Sequence, residues 1–231
     1  MRKSGIALFV ALATLTSLRA HGTTWIESHV NDPISGARLK VAEPGSSGSY
    51  IYDWPGKADQ VFWPFTDDNW LWFNRKSGYI AFGDDFANLD SAKRVMLRDW
   101  LKTHYKRESP LQTRLDLLHW AEQVYAARGM NDDFWCHFLR VMAFETRAHS
   151  SESLAYVKRV IPLLVTRLAN ANDLAQRLET LYLLSEYHRR LGLVEESNGY
   201  LEQLESTDAG DKLSQFKTYL LKIEAEQRAA T

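Results

Sequence analysis

Asp32-Pro33-Ile34-Ser35-Gly36 and Asn74-Arg75-Lys76-Ser77-Gly78-Tyr79 decide how the first third of this chain is read. With cysteine at positions 32, 35, 74 and 77 they would spell C-P-x-C-G and C-x-x-C-G-Y. Two such pairs close a four-thiolate zinc site. Asp32, Ser35, Asn74 and Ser77 offer no thiolate. The spacing therefore predicts two zinc-knuckle turns without zinc, and it assigns no metal, cofactor or catalytic residue.

Around these turns, residues 21–86 hold five of the eight tryptophans: Trp25, Trp54, Trp63, Trp70 and Trp72. They also hold Pro33, Pro44, Pro55, Pro64 and the run Gly45-Ser46-Ser47-Gly48. Short aromatic and β-branched runs between turn formers predict a small β-rich unit with hairpins. Pro44 to Ser49 reads as a loop. Two uses of the tryptophans are open. They form a packed core standing in for the metal, which is the preferred reading because small units need their apolar area. Alternatively they form an exposed aromatic surface for carbohydrate, peptide or envelope.

From residue 87 to 231 the pattern is helical, with apolar residues at spacings of three and four. Helices are expected at about 88–107, 110–128, 131–149, 151–170, 172–191, 194–206 and 210–228. Pro110 fits a first turn. Gly129 and Gly192 fit helix ends. Pro162 and Gly199 fall inside expected helices. Short connections predict antiparallel helical hairpins. Within 178–207, Leu181, Leu184, Ser185, Gly192, Ser197, Leu201 and Leu204 match the offsets of a tetratricopeptide (TPR) repeat. Residues 110–149 are a candidate for a second unit, and a plain bundle is the alternative.

The first twenty residues read as an export signal. Arg2 and Lys3 precede an apolar run, Ile6 to Leu18, that is too short to span a bilayer. Ala20 is the candidate last residue before cleavage, and an uncleaved anchor is the alternative. Loss of residues 1–20 lowers the basic count from 28 to 25 against 29 acidic residues, so the net charge of −1 becomes −4. A mildly acidic chain has no global attraction for nucleic acid. The single cysteine, Cys136, excludes an internal disulfide. Its apolar neighbours from Phe134 to Ala143 favour a buried thiol over a reactive one.

No H-E-x-x-H, G-x-S-x-G or phosphate-binding glycine loop occurs. His104, His119, His137, His149 and His188 fall on expected helices and read as satisfied or exposed side chains. Cys136 and His137 are adjacent, about 100° apart on a helix, which does not make a dyad. Asp67-Asp68, Asp84-Asp85 and Asp132-Asp133 are carboxylate pairs; the last two precede or begin helices, where negative charge meets the dipole. Cleavage after Ala20 would leave His21 at the N-terminus, and with His29 it would resemble the copper brace of lytic polysaccharide monooxygenases. Those enzymes are β-sandwiches, unlike this chain.

Taken in order, the two turns, the stretch Ser77-Gly78-Tyr79-Ile80-Ala81-Phe82-Gly83-Asp84-Asp85-Phe86 and the stretch Arg189 to Ser197 resemble an uncharacterised bacterial family. That family has an N-terminal C-P-x-C and C-x-x-C-G-Y zinc ribbon followed by TPR-like helices. The resemblance implies a degenerate ribbon on a TPR-like helical bundle, mainly α, with the family's zinc ligands falling on Asp32, Ser35, Asn74 and Ser77. It supplies no activity. The expected role is a non-catalytic exported interaction or assembly module whose protein partner, in the cell envelope, lies in a groove between helices. The alternatives are a copper protein or enzyme using His21 and His29, and the aromatic binding surface.

Overall fold

The structure, a computed structural model, describes residues 24–46, 56–108 and 111–230. The export signal, His21, Trp54, Pro110 and residues 47–49 lie outside these residues, while Pro44–Ser46, expected in a loop, belong to a strand paired with residues 24–25. Two short hairpins precede seven helices. Strands β1 (Thr24–Asn31) and β2 (Arg38–Ser46) pair antiparallel, as do β3 (Leu71–Phe73) and β4 (Ile80–Phe82). The helices are α1 (Ser91–His104), α2 (Arg114–Arg128), α3 (Asp132–Glu145), α4 (Ser150–Ala169), α5 (Leu174–Arg190), α6 (Val194–Ser206) and α7 (Gly210–Ala229). The chain is a helical bundle with a small N-terminal β unit.

Four of the seven helices described begin at a side-chain cap. Asp90, Thr113, Asn131 and Asp173 accept amide hydrogens of α1, α2, α3 and α5, and Thr113 with Asp116 forms a reciprocal capping box. Gly192 ends α5 at φ +74°. Its amide donates to Arg189 O (2.9 Å) and that of Leu193 to His188 O (2.9 Å). This pair of bonds satisfies carbonyls that the helix end would leave open. Neither Gly199 nor Pro162 interrupts its helix; α6 and α4 run through them.

Helix α3 packs most extensively on α4, and α5 on α6. The second hairpin therefore spans 132–169 rather than 110–149, because α2 turns its face to β4 and α1 instead. Ser185 and Ser197 are fully buried with their Oγ atoms 3.4 Å apart, so small side chains let α5 and α6 approach closely. His188, read from sequence as a satisfied or exposed side chain, is buried and satisfied. Its Nδ1 lies 2.7 Å from Leu184 O and its ring packs on Tyr200.

One continuous apolar core runs from Ile34 and Val41 through Tyr79, Phe82, Leu118, Phe138 and Leu181 to Ile223. The β unit is thus seated on the helices through a shared core. Tyr125 of α2 accepts from the Phe82 amide (2.8 Å), and Trp120 donates to Gly78 O (2.7 Å). Arg128 grips Asp85 with two bonds of 2.7 and 2.9 Å. Asp85 therefore serves α2 rather than the helix that follows it. Trp72 is buried, while Trp25, Trp63 and Trp70 are half-buried and pack on one another at tilts of 40–53°.

Candidate functional site

Both quoted stretches are hairpin turns, and they share one geometry. Asp32 N–H donates to Ala37 O at 2.9 Å and Gly36 N–H to Asp32 O at 2.8 Å. Asn74 N–H donates to Tyr79 O at 2.9 Å and Gly78 N–H to Asn74 O at 2.8 Å. Gly36 and Gly78 both have positive φ, +72° and +79°. At Gly78 a Cβ would stand 2.2 Å from the Tyr105 ring, so glycine is required twice over.

The turns face each other and bring Asp32, Ser35, Asn74 and Ser77 together. The Asp32 carboxylate is the hub. One oxygen accepts the amides of Ile34 (2.6 Å) and Ser35 (3.2 Å). The other accepts the Ser77 hydroxyl (2.5 Å) and the Asn74 side-chain amide. Asn74 Oδ1 accepts the Lys76 amide, and Ser77 Oγ accepts the Tyr79 amide. Where a ribbon would hold a metal, these four residues form a hydrogen-bonded knot. This corrects the expectation that an apolar core replaces it: Asp32 and Asn74 are buried polar residues. A buried carboxylate with four donors meets the condition under which such burial is tolerated.

A second polar assembly lies in the groove lined by α3, α5 and α7. The loop 56–61 enters it. Arg140 donates to the carbonyls of Asp59 (3.0 Å) and Gln60 (2.6 Å), and Tyr182 to that of Ala58 (3.0 Å). Asp59 accepts from Tyr187 (2.9 Å) and Arg190 (2.8 Å), and Lys57 pairs with Glu226 (2.7 Å). Burial pushes the Asp59 carboxyl above its ordinary range, against the pull of Arg190 and Tyr187. Arg190 also donates to Ser153 (2.6 Å). The groove continues past Asp59 as a cleft of about 420 Å³ bordered by Arg147, Ser150, Leu154, Glu186 and Arg189.

The sequence-level candidates for chemistry are dispersed. Cys136 is buried and burial raises its thiol. His137 packs edge-on against Phe65, and burial holds its pKa down at about 4. At neutral pH the pair is a thiol beside a neutral imidazole. His104 stacks on Trp100, His119 lies 2.6 Å from Glu152, and His149 precedes α4. His29 is exposed on β1, and its proposed companion His21 lies outside the described residues. Asp132 and Asp133 occupy the first turn of α3. Among the described residues no group of three histidine, cysteine or acidic side chains could hold a metal ion, and no helix is long and apolar enough to cross a membrane.

Sequence reading missed Asp59, Arg140, Tyr187 and Arg190. The signal available was Arg140 itself, one charge inside the apolar run Phe138 to Phe144. A cation in that position needs buried acceptors, and the loop carbonyls supply them. No protein-family model, curated protein or solved structure matches this chain.

Proposed function

We propose that this protein is a non-catalytic, exported interaction module that holds a segment of a partner protein in the groove between its helices. The observation that carries this reading is the way α3 and α5 grip the chain's own turn at residues 58–60. Arg140 and Tyr182 bind three successive carbonyls of that turn, so the groove recognises backbone rather than particular side chains. The cleft beyond Asp59 continues the same surface, with Arg147 and Ser150 on its border and Leu154 half-buried beside them. Export rests on the N-terminal apolar run, and the ancestral metal ribbon on the spacing of the two turns.

The polar clusters support a structural rather than a catalytic use. Asp59, Glu186 and Asp85 are each paired with an arginine. Capture of interacting proteins from an envelope extract tests the proposal. A specific partner retained by the wild type should be lost in Arg147→Glu at unchanged melting temperature. Equal retention by both proteins, or none by the wild type, contradicts it.

A further inference from the structure

Between the two hairpin turns and α1 lies a separate cleft of about 370 Å³. Four cations line it: Lys76 from the second turn, Arg98 and Lys102 one helical turn apart on α1, and Arg107 after α1. Among the described residues no carboxylate lines it. Asp99 lies outside the cleft, paired with Lys102 (2.9 Å), and the Asp32 carboxylate is enclosed by the donors of the knot. Between Arg75 and Arg107 the chain has eight basic and four acidic residues, in a protein of net charge −1. Like charges gathered around one cleft repel each other, and an anion between them removes that cost.

The donors are set in place without being used up. Arg98 Nε donates to Ile34 O (3.1 Å). Arg107 donates to Lys76 O from Nε (3.3 Å) and Nη2 (3.2 Å). Each guanidinium is thus held by one edge. Both terminal nitrogens of Arg98, Nη1 of Arg107 and the Lys76 ammonium have no acceptor among the described residues. The Ser35 hydroxyl accepts the Ala37 amide (3.3 Å), which leaves its own hydrogen free to donate. The hydroxyl of Ser77 is already spent on Asp32.

The remaining lining is apolar. Ile34 and Leu101 are buried, and the ring of Tyr105 is half-buried beside them. A carboxylate is satisfied by a single guanidinium fork. A phosphate monoester presents three strong acceptor oxygens in different directions and close to two charges, which suits donors arriving from two turns and a helix. The volume is at the small end of small-molecule sites, and it exceeds what a phosphoryl group alone would fill.

We infer that this cleft binds a small, soluble phosphate monoester. The phosphoryl group sits among Lys76, Arg98, Lys102 and Arg107 with the Ser35 hydroxyl as a further donor, and the organic body lies on Ile34, Leu101 and Tyr105. This binding is independent of the helix groove and requires no partner protein.

Calorimetric titration of the purified protein with phenyl phosphate at about 50 mM salt tests it, and the affinity should fall at about 500 mM through screening. Phenyl phosphate should bind about tenfold more tightly than benzoate, which offers two oxygens and one charge. It should exceed inorganic phosphate by roughly tenfold through burial of the ring. The double variant Lys76→Gln, Lys102→Gln changes exposed side chains and should weaken binding about tenfold at an unchanged melting temperature. Lys158→Gln with Lys212→Gln removes the same charge far from the cleft in sequence and should bind as the wild type does. The inference is overturned if phenyl phosphate does not bind, if benzoate or inorganic phosphate binds equally well, or if the two double variants behave alike. Stronger binding to phosphatidylglycerol vesicles or to a duplex oligonucleotide than to phenyl phosphate would also overturn it, by identifying a lipid or nucleic-acid surface instead.

Discussion

Asn74 donates its side-chain amide to the buried carboxylate of Asp32, 42 residues away, and so ties two hairpin turns together. The two residues stand at the first position of each turn, where a zinc ribbon carries a thiolate. Here one carboxylate surrounded by donors holds the two turns. It fixes the relative placement of the hairpins, and with it the seat of α1 against Ile34.

The knot should be a large local contribution to stability. Asp32→Ala leaves the Asn74 amide and the Ser77 hydroxyl without their shared acceptor. The expected loss is about 3 kcal/mol in urea denaturation, the range for hydrogen bonds to a buried charged group. Asn74→Ala and Asp32→Ala together should cost much less than the sum of the two, since both break the same bond. Additive losses would show that the two turns are held by something else.

If the turns retain ribbon geometry, the metal site should be restorable. The variant with Asp32, Ser35, Asn74 and Ser77 all changed to cysteine should bind about one zinc per chain under reducing conditions. Cobalt should give the visible absorption of a tetrahedral thiolate site. The wild type should bind neither metal at this place. A quadruple variant that folds yet takes up no metal would show that the spacing is coincidental.

Acid should weaken the fold through His137. Its Nε2 is buried with no partner, and Arg140 and Arg167 add to the cost of a positive charge there. The folded pKa of about 4 lies below the ordinary value of 6.5. The unfolded chain therefore binds the proton first, and stability is full above pH 6.5 and falls as pH drops toward 4. The loss across this window is on the order of 3 kcal/mol. His137→Gln should flatten that slope in melts taken between these pH values. An unchanged slope would place the acid sensitivity elsewhere.

The α5–α6 contact should reject bulk. Ser197 is enclosed, 3.4 Å from Ser185 and 2.8 Å from Arg228. Ser197→Leu should cost about 1–3 kcal/mol by overpacking, besides the lost bond. His188→Ala should also destabilise, by roughly 1–2 kcal/mol, because a buried, hydrogen-bonded ring is removed. Chemical denaturation of the two variants checks both, and indifference at Ser197 would separate the helices by more than the structure allows.

The helical half was legible because its signals are local. Periodic leucines, and Gly129 and Gly192 at left-handed helix ends, all act within a few residues of themselves. The two turns were legible for the same reason, through Gly36 and Gly78. The pairing of α3 with α4 was misread because Tyr125, Trp120 and Arg128 turn α2 toward the β unit. That is a tertiary preference, with partners some 40 residues away. The groove was invisible because its partners are farther apart still. Asp59 meets Tyr187 across 128 residues, and Ala58 meets Tyr182 across 124. Residues 56–61 carry no periodicity that would announce their burial. Only the position of Arg140 in an otherwise apolar run hints that a polar segment must come to it.

The groove is the centre of the functional account, and site-specific photo-crosslinking in cells tests it most directly. A photoreactive residue at Leu154, on the border of the groove beyond Asp59, should yield a discrete heavier product containing one envelope protein. The same residue at Lys212, on the exposed start of α7, should yield none. A product of the same kind from both positions, or none from Leu154, would contradict a partner segment bound in the cleft between α4, α5 and α7.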